Sequence, residues 1–212
     1  MREKKLDKKF TFIVLGRSGS GKGTQAHYIL TRLGDSSRHI ETGRFLRDII
    51  EESNATTDIA RRIMEEGRLF PSWFGAYTWL RQLIERGYAA FHLVFDGAPR
   101  KVSEAMLIDE VMEWHKRSAS ICIYVEVSEE EATRRLLGRR RTDDHATAIQ
   151  HRMAFFKKDV LPVVDYYAKK NRLIRINGEQ PIEKVWKEID SALKARLGNL
   201  WPLRSKQKKN SK

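Results

Sequence analysis

The sequence predicts an α/β domain in which a parallel β-sheet is flanked by helices, and three observations carry that expectation. Short, nearly all-apolar runs rich in β-formers recur along the chain, helical periodicities lie between them, and a glycine-rich loop joins the first run to the first helix. The 212 residues, 41% hydrophobic and 33% charged, suit one core with small inserted lobes. No apolar run approaches the ~18 residues of a membrane span, and the basic start MREKKLDKKF lacks the apolar stretch of a secretory signal. The single cysteine, Cys122, excludes an internal disulfide and a multi-cysteine zinc site, so a cytoplasmic setting without zinc is expected.

Taken in order, residues 10–15 (FTFIVL) read as a buried strand ending at Gly16. A helix follows over about 22–33, with Ala26, Ile29, Leu30 and Leu33 on one face. Thr42 reads as the N-cap of a helix carrying Phe45, Leu46, Ile49 and Ile50. Residues 56–66 form a short helix closed by Gly67. Pro71 suits the first turn of another, with Phe74, Tyr77, Leu80 and Ile84 inward and Gly87 at its end. Residues 91–95 (FHLVF) and 121–127 (ICIYVEV) are further strands, and Ser128 with Glu131 resembles a capping box. A long helix is predicted over about 143–169, kinked at Pro162, with Ile149, Met153, Phe156 and Val160 in register. Residues 173–176 are a last strand, and 181–197 a last helix closed by Gly198. The helical stretch 42–87 exceeds what one crossover needs, so part of it is expected to form a separate lobe.

The net charge of +13 invites a nucleic-acid reading, but its distribution weakens it. Residues 1–9 carry +3 and residues 198–212 carry +5, which leaves only +5 on 10–197. Basic tails are most often solvated, and a weak affinity for RNA or acidic surfaces follows from charge alone.

The loop after the first strand reads Gly16-Arg17-Ser18-Gly19-Ser20-Gly21-Lys22-Gly23-Thr24. It holds G-x-x-x-x-G-K between a strand and a helix, the context that a phosphate loop requires. Glycines let backbone N–H groups turn inward around phosphate oxygens, the helix N-terminus adds its dipole, and Lys22 adds a full charge. Nucleoside-triphosphate binding follows, on a P-loop NTPase-like sheet.

With Gly between Lys and Thr, the loop resembles that of the nucleoside monophosphate kinases, adenylate kinases in particular. Four further stretches agree in order: Thr42-Gly43-Arg44-Phe45-Leu46-Arg47, Phe95-Asp96-Gly97-Ala98-Pro99-Arg100, Arg135-Leu136-Leu137-Gly138-Arg139 and Arg141-Thr142-Asp143-Asp144. The resemblance covers about 10–197 and implies a small helical lobe for the monophosphate, here about 42–71, and a minimal lid, about 139–143. Long family members insert a small domain between the two arginine motifs, and here only Arg140 separates them. The 1–9 and 198–212 segments are then basic tails outside the kinase domain.

The resemblance implies transfer of the γ-phosphate of ATP to AMP, giving two ADP, with Mg²⁺ and as a monomer. Phosphate-to-phosphate transfer needs charge neutralisation and in-line alignment rather than a strong base. Gly19, Ser20, Gly21, Lys22, Gly23 and Thr24 would hold the donor phosphates, and Arg135 would lie on the donor adenine. Arg47 and Arg100 would hold the acceptor phosphate, while Arg139, Arg141 and Arg152 surround the transferring group. Arginine suits these places because its planar fork binds two phosphate oxygens and stays charged. Thr42, Phe70, Gly97 and Glu104 would complete the acceptor site, and Thr24 and Asp96 would face the hydrated metal. Asp143 and Asp144 either complement a helix dipole or hold the lid arginines.

Three departures from the family pattern stand out. Arg44 replaces an acid expected near the metal's water shell, Ala98 an aromatic, and Glu104 a glutamine that reads the acceptor base. A carboxylate only accepts hydrogen bonds, so Glu104 suits guanine N1–H and N2–H better than adenine. The runner-up acceptor is therefore GMP or a pyrimidine monophosphate. A rival of another class is a nucleic-acid-associated protein that binds nucleotide with little turnover. The six histidines form no ligand spacing and read as structural or surface groups.

Overall fold

The computed structural model describes residues 9–139 and 144–201. The predicted first strand is β1 (Thr11–Leu15), buried at every position. Full burial is what an uninterrupted apolar run demands: Ile13 and Leu15 face one core, Phe12 and Val14 the other. The chain continues through α1 (Lys22–Leu33), β2 (Ser37–Glu41), α2 (Thr42–Ile49), α3 (Ala55–Glu65), α4 (Ser72–Glu85), β3 (His92–Asp96) and α5 (Val102–Trp114). Then come β4 (Ile121–Glu126), α6 (Glu129–Arg139), α7 (Ala146–Phe155), α8 (Leu161–Lys169), β5 (Leu173–Asn177) and α9 (Ile182–Leu197). The five strands form one sheet in the order β2-β3-β1-β4-β5, every pair parallel. This is the sheet flanked by helices that the sequence predicts.

Two helical layers cover the sheet. Ala26, Ile29 and Leu33 of α1 and Val185, Ile189 and Leu193 of α9 pack on one face. Trp79 and Leu83 of α4, Ala105, Ile108 and Met112 of α5 and Val163, Val164 and Tyr167 of α8 pack on the other. The connections after β1 and β3 leave on opposite faces, so a crevice opens outside the carboxyl ends of these strands. Two smaller clusters border it: Leu46, Ala60, Phe70 and Phe74 join α2, α3 and α4, and Val127, Ala132, Leu136, Ile149 and Met153 join α6 and α7.

Several local expectations are corrected. Sequence patterns assign nothing to β2, whose SRHIE carries one isoleucine because an edge strand buries little, or to 101–120, where α5 lies. Tyr77 and Ile84, expected inward, are 44% and 76% exposed. The reason is that α4 serves two cores: Phe74 enters the small lobe, whereas Trp79 and Leu83 enter the main one, so no single stripe describes the helix. Thr42 opens α2 rather than capping it, and Glu41 takes the cap position without a side-chain bond. Ser128 does accept from Glu131 N–H at 3.3 Å, but Glu179 rather than Glu131 accepts from Ser128 N–H, at 2.7 Å. The predicted long helix is interrupted by a π turn at Phe156–Val160, just before Pro162, whose missing N–H cannot continue the α ladder. Trp201, expected in a basic tail, is 3% exposed and stands edge-on to Phe12. Among the described residues no helix is long and apolar enough to cross a membrane.

Candidate active site

The loop between β1 and α1 forms the floor of the crevice. Gly19 and Gly21 take φ of 87° and 85°, backbone that side-chain-bearing residues rarely adopt. A Cβ on Gly19 would meet Ala132 O of α6 at 2.5 Å. Gly23 answers the question raised by the spacing of this loop: a Cβ there would lie 3.0 Å from Asp96 Oδ2, so the residue after Lys22 lets the β3 carboxylate approach the loop closely. Lys22 begins α1, whose own first turn carries no acid, and the helix end presents positive potential to the crevice, with the Asp96 carboxylate beside it.

The crevice encloses about 600 Å³. Of the expected site residues, Gly19, Gly21, Lys22, Gly23, Thr24, Arg47, Phe70, Asp96, Gly97, Arg100, Arg135, Arg139 and Arg152 line it together. They arrive from α1, α2, the α3–α4 turn, β3, α6 and α7, separated by up to 133 positions in sequence. Arg141, with Asp143, lies outside the described residues. Ser20 and Thr42 are buried at its margin, each with a hydroxyl that has no partner in the structure. Glu104 is buried behind the wall: its Oε2 accepts from Arg100 N–H at 2.8 Å and it also takes a bond from the Ser72 hydroxyl. Burial pushes its carboxyl up, against those bonds.

The cationic groups are held by specific partners. Asp144, its side chain 1% exposed, accepts from Arg139 Nε and Nη2 at 2.8 Å each and from Arg152 Nη1 at 2.7 Å. Burial pushes the Asp144 carboxyl up, but the two guanidiniums outweigh it and hold it below its ordinary value. Arg100 donates from Nε to Gly97 O at 2.8 Å, and burial lowers its pKa against the attraction of Glu104 and Asp96. Arg47 pairs with Glu41 at 3.4 Å. Arg135 bonds Glu131 at 2.6 Å and Gly178 O at 3.0 Å, which fixes its guanidinium beside the loop.

The lining also includes residues that sequence reasoning missed: His39, Glu41, Met64, Arg68 and Phe155. His39, expected to be merely structural or superficial, points a ring with a buried, unpartnered Nε2 into this region, and burial lowers its pKa. No local pattern marks these positions; only β2, α3 and α7 meeting at the crevice does so.

A family model described as adenylate kinase matches residues 14–172. The chain belongs to the adenylate kinase family. It is 32% identical to adenylate kinase 1 of Nostoc sp. over 181 residues, covering 85% of this chain and 97% of that protein. Adenylate kinase of Leuconostoc mesenteroides is 34% identical over 185 residues, covering 85% and 95%. UMP-CMP kinase 3 of Arabidopsis thaliana is 34% identical over 178 residues, covering 83% and 85%. Adenylate kinases are phosphotransferases, and the cationic crevice of this family member has the makeup such an enzyme requires.

A divalent metal held mainly by substrate phosphates fits the oxygen donors here. Asp96 ends β3 beside Gly23, and Thr24 lines the same wall. Among the described residues no group of three or more His, Cys, Asp or Glu could hold a metal on its own.

Proposed function

We propose that this adenylate kinase family member transfers the γ-phosphoryl group of ATP to AMP, yielding two ADP. The observation that carries the reading is one crevice lined by a phosphate loop, Lys22 and six arginines from five different segments. In this reading the loop N–H groups and Lys22 bind the donor phosphates, and Arg135 supports the donor base. Arg47 and Arg100 bind the acceptor phosphate, so two anions meet without uncompensated repulsion. Arg139, Arg152 and Arg141 stabilise the charge on the transferring group, with Asp144 orienting the first two. Mg²⁺, which would neutralise and orient the donor phosphates, would be held through water by Asp96 and Thr24. The segment 42–71 acts as the acceptor lobe and 139–143 as the lid, and the enzyme works as a cytoplasmic monomer.

The acceptor base is the open choice. The likeness to UMP-CMP kinase 3 favours testing other monophosphates beside AMP. Initial rates with ATP and AMP, GMP, CMP or UMP test the proposal. A kcat/KM highest for AMP is expected; transfer to none of them overturns the activity.

A further inference from the structure

Resting on that reading of the crevice, we infer that His145 and His151 are positioning residues that clasp the acceptor lobe against α7. Helix α3 ends at Glu65; the turn after it caps Arg62 O, Ile63 O and Met64 O with the N–H groups of Glu66, Arg68 and Gly67, which leaves the carbonyls of Glu65 and of the cap residue Glu66 for other partners. Two imidazoles from α7 reach them. His145 Nε2 lies 2.8 Å from Glu65 O, and His151 Nδ1 lies 2.6 Å from Glu66 O. A carbonyl only accepts, so each of these nitrogens carries its proton. For His145 the other nitrogen is fixed as well: Nδ1 accepts from Ala148 N–H at 3.4 Å, capping α7. One ring thus starts α7 and finishes α3.

Gly67 makes the approach close. It follows the α3 end in left-handed backbone, φ 65°, and a Cβ there would stand 2.6 Å from Ala148 O and 2.8 Å from Ala148 Cα. The same turn carries Met64, Gly67, Arg68 and Phe70, which line the crevice, while α7 carries Arg152. The joint therefore sets the distance between the wall of the acceptor site and the arginines expected to surround the transferring phosphate. The two elements keep separate small cores, Leu46, Ala60, Phe70 and Phe74 on one side and Val127, Ala132, Leu136, Ile149 and Met153 on the other. A joint made of hydrogen bonds can release without dismantling either core, and water can replace the imidazoles when it does. Each such bond biases a two-state equilibrium by about two- to tenfold.

The test uses the full chain with His145→Asn and His151→Ala combined. Asn retains a cap acceptor for Ala148 N–H but is too short to reach across to α3. Amide exchange of peptides covering 63–71 is expected to accelerate by about 4- to 100-fold, the product of the two bonds. By calorimetry, AMP binding is expected to weaken by up to the same factor, with KM for AMP rising alongside and kcat kept or increased. Unchanged exchange in 63–71 overturns the clasp, as does a fall in kcat at constant KM. If the parent protein transfers phosphate to no monophosphate, the proposed activity fails, and the exchange result alone judges the clasp.

Discussion

Asp144→Asn is the most informative single perturbation of the cationic cluster. The carboxylate is 1% exposed and carries three bonds from Arg139 and Arg152. Asn leaves one acceptor oxygen and turns N–H donors toward a guanidinium, so the variant breaks the pairs without changing volume. Removing one partner of a buried ion pair costs about 3–5 kcal/mol. Arg139 keeps 35% of its side chain exposed, and solvent screens that half of the cluster, so about 2–3 kcal/mol is expected here. The pH dependence follows from the direction of the shift. The folded carboxyl lies below its unfolded value of about 3.9, so its stabilisation is fully present above that pH. It is lost as pH falls through the lower folded value. Urea midpoints of both proteins should therefore differ at pH 7 and converge in strong acid. At pH 7 the variant should also lose turnover, because Arg139 and Arg152 no longer share a fixed anchor. A stability difference below about 1 kcal/mol at pH 7, or one that persists unchanged below pH 3, would refute the reasoning.

Other consequences can be checked as directly. Lys22→Ala should fold normally, judged by circular dichroism, and lose about 10³–10⁵-fold in turnover, the scale for removing a transition-state cation. Glu104→Gln should melt at a higher temperature at pH 7, because burial disfavours the charged carboxylate and the amide oxygen still accepts from Arg100 N–H. Its kcat/KM ratio between AMP and GMP should move by less than about tenfold, since the side chain lies behind the crevice wall; a shift of two decades would make Glu104 a direct reader of the base. Deleting 202–212 should leave activity within a small factor. Deleting from Trp201 onward should cost about 3–5 kcal/mol in unfolding experiments, because the buried indole also donates to Asp190 at 2.8 Å.

What the sequence revealed follows from how local each signal is. The phosphate loop is read within nine consecutive residues, since strand end, glycines, lysine and helix start all act on one another directly. β1 and β4 are equally plain because central strands of a parallel sheet are apolar on both faces. β2 is the opposite case: His39 and Glu41 serve the crevice, and only Ile40 of its middle is fully buried. Of the site, Lys22 and the arginines other than Arg68 were legible by resemblance, whereas His39, Glu41, Arg68, Met64 and Phe155 carry no motif and join the site only when the fold turns them to the crevice. Glu104 is a different case. The resemblance puts it at a base-reading position, and in the structure its carboxylate bonds Arg100 N–H and the Ser72 hydroxyl.

Helix α4 has a consequence for how this protein comes apart. Its first turn is held by the lobe through Phe74, and the remainder is bolted under the sheet by Trp79 and Leu83. Between them sits Gly75, the residue least costly to release from a helix. Local melting that starts in the lobe would run along α4 and meet this glycine before it meets the main core. The helix thus contains its own fuse, placed so that the acceptor lobe can come undone and re-form while the sheet and its phosphate loop stay standing.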